Sequence, residues 1–412
     1  MLSRSTLPKQ LSGQFSGHFA HRFSRLVRNW GLSVLALGLF ALPACGHAET
    51  AYQITTVAEG LNTPWAMAFL PGDGRILVTE RGGALRIVDP GSGEIGELTG
   101  VPAVAARGQG GLLDIALHPS FSEENWVYLT WAGEDDQGHT ATHLGRAMLN
   151  LDEPALSDLE VLYIAEPFFA STGHYGSRIV FHDGFVFVGF GDRNFKDFGP
   201  EHIAQDLSNA NGATIRLTLD GSVPEDNPFV DQPDADPAIW SYGHRNIQAM
   251  AVHPETGAIW LAEHGEAGGD EINVVTRGGN FGWPLAGYGV DYRTGQAFSV
   301  PHDQTDEFIA PVFHWGPGRE DHFPPSGMAF YTGEAFAEWQ GHLLVGNLFH
   351  RYLGLFALDG ESVSAPIRLL EGKGWRIRDM AVGPDDGFIY VIADDSASPL
   401  LRLEPSSNNI SE

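Results

Sequence analysis

One short pattern recurs six times between Trp65 and Ile392. It is an apolar-alternating run, a turn built on Pro or Gly, and a second run rich in aromatic and β-branched residues. The copies begin at Trp65 (WAMAFLPGDGRILVTE), Leu112 (LLDIALHPSFSEENWVYLT), Ser177 (SRIVFHDGFVFVGF), Ile247 (IQAMAVHPETGAIWLAE), Ser326 (SGMAFYTGEAFAEWQGHLLVGN) and Ile377 (IRDMAVGPDDGFIYVIA). Runs of this composition on either side of such a turn form β-hairpins. In the first copy Ala66–Phe69 and Ile76–Thr79 flank the turn; in the fourth, Ala251-Val252 and 259–261 do so. Successive copies lie roughly 50 to 80 residues apart, enough for a four-stranded blade of about 40–50 residues plus loops. The expectation is an all-β, six-bladed β-propeller with long inter-strand loops on one face. A β-helix would need shorter rungs, and a β-sandwich would not repeat six times. The early strand near 52–57 is expected to close the ring by pairing near 400–403.

The N-terminus reads differently. Residues 1–30 carry Arg4, Lys9, Arg22, Arg25 and Arg28 and no acid, and an apolar run follows from Leu32 to Ala44. That order predicts a secretory signal over residues 1–48, too short for a comfortable membrane span. The propeller domain is then 49–405, with a flexible tail at 406–412. The expected location is the periplasm. The only cysteine, Cys45, follows Leu42-Pro43-Ala44. Two readings stand: a lipid anchor at Cys45, or cleavage after Ala48 that discards it. Either way the mature chain has no disulfide. The net charge of −28 becomes more negative once the basic signal is removed. Such a field repels nucleic acid and anionic lipid. It also makes any gathering of basic residues informative.

The hairpin geometry brings distant residues together. The start of the first strand and the end of the second lie at the same end of a hairpin. If the repeated hairpins are the inner strands, those ends ring one mouth of the channel. The mouth then collects Gln109, His174, Arg178, Arg245, Asn246, Arg376 and Arg378 from strand starts, and Asp192, Glu263, His264 and Gly265 from strand ends. The long aromatic insertion from Asn280 to Pro325 is expected to overhang it. His174 is a candidate general base beside Asp192, or a structural loop histidine. Arg245, Arg376 and Arg378 suit an anionic, multi-carboxylate ligand, or salt bridges between blades with Asp379 or Glu263. Of Arg376 and Arg378, which lie on one strand, only one need face the channel directly. The glycine-rich stretch from Glu263 to Glu271 offers carbonyls and carboxylates to a hard cation such as calcium, or is an acidic loop facing solvent.

Taken together, several stretches resemble the soluble quinoprotein sugar dehydrogenases, the aldose sugar dehydrogenase branch of the glucose/sorbosone dehydrogenase family. They are Gly108–Leu113, Tyr242–Gln248, Glu263-His264-Gly265 through Asn273, Gly279–Pro284 and Arg376–Asp379. The resemblance runs from about Gly60 to Leu403 and implies a six-bladed propeller holding pyrroloquinoline quinone (PQQ) and calcium. It implies that His174 takes a proton from the C1 hydroxyl of an aldose while hydride passes to the quinone, giving a lactone. Asp192 is implied as its carboxylate neighbour and Gln109 as a substrate contact. Arg245, Asn246, His264, Arg376 and Arg378 are implied as cofactor contacts, with Arg378 also polarising the quinone. Calcium is implied at the backbone carbonyls of Gly265 and Glu266. The implied partners are an aldose and a periplasmic electron acceptor, with a monomer or homodimer as the assembly. Glu266 stands where the family often has proline, and Phe349 where many members carry lysine. Two other readings remain on this architecture: a calcium-dependent lactonase-type hydrolase, and a non-catalytic exported binding propeller.

Overall fold

A computed structural model describes residues 52–406. The expected export signal, Cys45 and residues 407–412 of the expected tail lie outside the described residues. Among the described residues the chain forms six four-stranded antiparallel sheets, and the one α-helix is the single turn Phe121–Glu124. This is the expected six-bladed propeller. Each sequence repeat supplies the two inner strands of a blade. The innermost strands are Pro64–Phe69, Leu112–Leu117, Ile179–His182, Ile247–Val252, Pro325–Phe330 and Ile377–Val382, in blades one to six. Neighbouring inner strands touch around the full circle, from blade one through blade six and back.

The ring closes as the sequence predicts. Tyr52–Leu61 pairs antiparallel with Ser398–Pro405, with Ile54 opposite Leu403 and Thr56 opposite Leu401. The first strand of the chain thus completes the last blade. Six hydrophobic clusters fill the seams between blades. Leu112, Trp131 and Trp65 pack between blades one and two, for example, and Leu61, Val78 and Ile392 between blades six and one. With no disulfide available, this burial and ring closure carry the stability.

Two features aim side chains at the channel. In five blades the innermost strand carries a β-bulge at its start, for example between Pro64 and Ala66, Ile247 and Ala249, and Ile377 and Asp379. A bulge re-aims side chains at the end of a strand. The second residues of four of these strands, Trp65, Leu113, Gln248 and Arg378, accordingly line one cavity. The other feature is a buried ion cluster beneath it. Arg178 Nη1 lies 3.0 Å from Asp114 and 3.2 Å from Asp379, and Nε donates to the Gln248 carbonyl at 3.0 Å. The same carboxylates accept the Ile179 and Met67 backbone N–H groups, and the guanidinium lies over the Trp65 ring. Arg178 is therefore a buried tie between blades and not one of the mouth residues the repeat register suggested.

Candidate active site

Cavity and adjoining cleft meet at His264. The cavity has a volume of about 210 Å³, and Gln109, Gln248, Arg376, Arg378 and Asp394 share its wall with His264. The cleft behind is lined by Arg245, His264, Gly265 and Glu266. Residues from all six blades, or the segments leading into and out of their inner strands, therefore meet at one end of the ring.

His174 lies in the segment leading into blade three. Its backbone is in the left-handed region, at φ 48°. Such a conformation is strained for a non-glycine residue and persists only where neighbours hold it. Here Gln109 Oε1 accepts the His174 N–H at 2.7 Å, and the His174 carbonyl accepts the Arg193 N–H at 3.3 Å. Gly191 permits the approach, since a Cβ there would meet the His174 carbonyl oxygen at 2.4 Å. The His174 Nδ1 is 2.6 Å from Asp192 Oδ1. Asp192 is fully buried, and it also accepts the Trp283 Nε1–H at 2.8 Å and the Asn194 N–H at 2.8 Å. The long insertion thus overhangs the mouth as expected, and Trp283 is its contact with the dyad.

These partners set the protonation states. Burial pushes the His174 pKa down, and the nearby Arg245 adds to this; the pull of Asp192 only partly offsets them. Burial pushes the Asp192 carboxyl up, but His174, Arg245 and His202 outweigh it and hold the group below its ordinary value. The dyad at neutral pH is a neutral imidazole donating Nδ1–H to a carboxylate. No described residue hydrogen-bonds Nε2. A neutral ring nitrogen without a protein partner, backed by an orienting carboxylate, is the arrangement of a general base.

The arginines are paired within the site. Arg376 Nη2 and Arg378 Nη2 reach Asp394 Oδ2 at 2.9 and 3.1 Å. Burial pushes the Asp394 carboxyl up, but the two arginines prevail and bring it to about 2. Arg378 Nη1 also donates to Gln248 Oε1 at 3.3 Å. Both arginines line the cavity, one more than the sequence reading required; residues two apart along a strand share a face. The salt-bridge alternatives named Asp379 and Glu263. Asp379 instead pairs with Arg178, and Glu263 accepts the Arg245 backbone N–H at 2.6 Å and meets His244 Nδ1 at 2.7 Å.

Arg245 Nη2 lies 2.5 Å from Glu266, and its Nη1 donates to the His264 carbonyl at 3.2 Å. Asn246 Nδ2 lies 3.4 Å from His264 Nδ1, while His264 Nε2 donates to the Pro325 carbonyl at 2.7 Å. Burial lowers the His264 pKa to about 3, so this ring is a neutral wall of the site.

The loop from Gly265 to Glu271 is buried, contrary to the reading of a solvated acidic loop. Its carboxylates are all engaged. Asp270 accepts the Gly265 and Phe323 N–H groups, Glu266 pairs with Arg245 and Lys196, and Glu271 accepts from Asn273. What the loop leaves over is backbone oxygen: no described backbone N–H donates to the Gly265 or Glu266 carbonyl. Gly265 is required, because a Cβ would meet the Gly268 and Gly269 carbonyl oxygens at 2.3 and 2.2 Å.

Three site residues escaped the sequence reading. Asp394 stands one residue past the end of the sixth repeat, so extending that copy by one position finds it. Trp283 lies in an insertion without period. Lys196 follows Asp192 in a loop that no repeat register predicts.

Comparison with known proteins places the chain in a family. The family profile described as glucose/sorbosone dehydrogenase matches residues 61–402. An aldose sugar dehydrogenase of Escherichia coli is 38% identical over 379 residues, covering 91% of this chain and 97% of that protein. The crystal structure of the soluble aldose sugar dehydrogenase of the same organism, in its apo form, superposes with a TM-score of 0.79 at 37% identity, over 86% of this chain and 100% of that one. The PQQ-bound form of an aldose sugar dehydrogenase from Streptomyces coelicolor has a TM-score of 0.69 at 27% identity, over 86% and 99%. The chain belongs to the glucose/sorbosone dehydrogenase family, a family of oxidoreductases.

Proposed function

We propose that this protein oxidises the C1 hydroxyl of aldose sugars to lactones, using PQQ and calcium held at the mouth of the propeller. The observation that carries the reading is a neutral, carboxylate-backed imidazole held directly behind the cavity wall by Gln109 and close to Arg245, with three arginines on that cavity and its adjoining cleft. The donor set suits a polycarboxylate. The buried Nε atoms of Arg245 and Arg378 have no partner, so these guanidinium groups still have donors to give. Asn246 and His264 flank them. The backbone oxygens of Gly265 and Glu266 suit a hard cation, completed by oxygens of the cofactor. A lactonase-type site would need a metal ringed by side-chain carboxylates. Among the described residues, no group of three or more His, Cys, Asp or Glu is arranged to hold one.

His174 Nε2 takes the proton of the C1 hydroxyl. Asp192 keeps Nδ1 protonated, so that Nε2 presents its lone pair, and stabilises the imidazolium that forms. Trp283 and the Asn194 N–H fix that carboxylate. Gln109, whose Oε1 holds the His174 backbone, stands on the cavity wall as a sugar contact through its amide. Arg376 and Arg378 present positive charge where negative charge develops. When bound, the quinone supplies the two-electron acceptor for hydride from C1. Electrons then leave to a periplasmic acceptor, in keeping with an exported protein, released or anchored at Cys45.

The test is reconstitution. Apo-protein incubated with PQQ and calcium is expected to reduce an acceptor dye with several aldoses. His174→Ala is expected to lose roughly 10²–10⁴-fold in kcat while still binding PQQ. Lactone hydrolysis without PQQ, or PQQ binding without turnover by the wild type, would replace this reading.

A further inference from the structure

Glu266 is an unusual tenant for an anion site. Its carboxylate is only 2% exposed, and it lies in the same cleft wall as Arg245. At 2.5 Å from Arg245 Nη2, it would on its own cancel the charge of that guanidinium toward an incoming carboxylate. It is not on its own. Lys196 Nζ reaches both oxygens of Glu266, at 2.9 and 2.7 Å. Lys196 comes from the loop that carries Asp192, and its ammonium lies about 6.0 Å from the ring centre of Tyr292, a partly exposed residue of the long insertion. At this corner Arg245, Glu266 and Lys196 thus form a triad of two cations and one carboxylate, a net single positive charge, set near the buried Asp192 carboxylate that belongs to His174. Phe349 lines the neighbouring cavity with an uncharged, partly exposed ring.

We propose that Lys196 is a positioning residue of the cofactor site: its ammonium offsets the buried Glu266 carboxylate, so that Arg245 keeps a net positive charge for a carboxylate of the bound polyanion. The pair works as a unit. Glu266 without Lys196 makes the corner neutral, and Lys196 without Glu266 makes it doubly positive. A merely structural salt bridge would change stability when broken and leave affinity for an anion untouched. A charge-setting pair moves affinity in opposite directions for the two single variants.

This inference rests on the PQQ reading and is tested separately from it. PQQ is titrated into purified protein with calcium at low ionic strength, and the dissociation constant is read from the absorbance or fluorescence of PQQ, without sugar or turnover. Lys196→Met is expected to raise the Kd about tenfold, and Glu266→Gln to lower it severalfold. The double variant is expected to return close to wild type, and Lys196→Arg to bind as wild type does. The difference between Lys196→Met and wild type is expected to shrink as salt is added. Wild-type protein that takes up no PQQ overturns the cofactor reading and this inference with it. Wild-type binding together with an unchanged Kd in Lys196→Met overturns this inference alone. So does a double variant that binds as weakly as Lys196→Met.

Discussion

At the scale of single residues, the site is organised by what His174 is denied. Burial and Arg245 deny it a proton, and its strained backbone denies it the freedom to turn away from Asp192. The ring therefore stays neutral below the pH at which an ordinary histidine charges. The sign follows directly. A base with a lowered pKa remains competent as pH falls through 6.5, so the acid limb of kcat/KM is expected below the ordinary imidazole range. A pH–rate profile whose acid limb sits above 6.5 would contradict this assignment. Asp192→Asn removes the charge that favours the imidazolium and leaves one acceptor oxygen in place of two, so the His174 Nδ1–H and the Trp283 Nε1–H can no longer both be accepted. It is expected to lower kcat by roughly a hundredfold or more and to move the acid limb lower still. Stopped-flow dye reduction across pH reads both effects.

At the scale of elements, the bulged inner strand is the device that turns a repeat into a site. Alternation and turn residues are local signals, and they were enough to locate the hairpins within a residue or two. The inner strand of blade one, for example, begins at Pro64, two residues before the alternation suggests. A bulge is a relation between two strands and leaves no local trace. Arg376 and Arg378, two apart and so on one face of their strand, both line the cavity, one more than the sequence reading required. The same limit explains Trp283 and Lys196, which reach the dyad and Glu266 from irregular segments whose course no period dictates. It also explains Arg178, whose register matches the mouth residues but whose side chain points into a cluster with Asp114 and Asp379. Burial, with the second carboxylate nearby, pushes the Asp114 pKa up to about 6 despite the guanidinium. Arg178→Met leaves two buried carboxylates without their cation and is expected to cost about 3–5 kcal/mol in urea unfolding. The sign with pH is set by the carboxylates. Without Arg178 they favour their protonated forms in the fold, so the deficit is largest above pH 6 and shrinks as pH falls. A deficit that grows on acidification would show that the cluster is not held by charge.

At the scale of the whole molecule, a strongly acidic chain sets Arg81, Arg245, Arg376 and Arg378 around one cavity and its cleft, where the six blades converge, and ties the disc with apolar seams. Closure depends on a strand from the start of the domain completing the last blade. Leu61, fully buried in the seam between blades six and one, is part of that join. Leu61→Ala is expected to cost about 2–5 kcal/mol and to lower the Tm correspondingly. A wild-type Tm would mean that the ring does not depend on this seam. The central claim is likewise a claim about the whole: that residues from all six blades form one receptor for a carboxylated quinone. A crystal structure of the protein grown with PQQ and calcium tests it most directly. The account predicts the quinone against Arg376 and Arg378 with its carboxylates toward Arg245, and calcium on the Gly265 and Glu266 carbonyls. A quinone bound elsewhere on the disc, or a mouth that stays free of it at saturating concentration, would contradict the account.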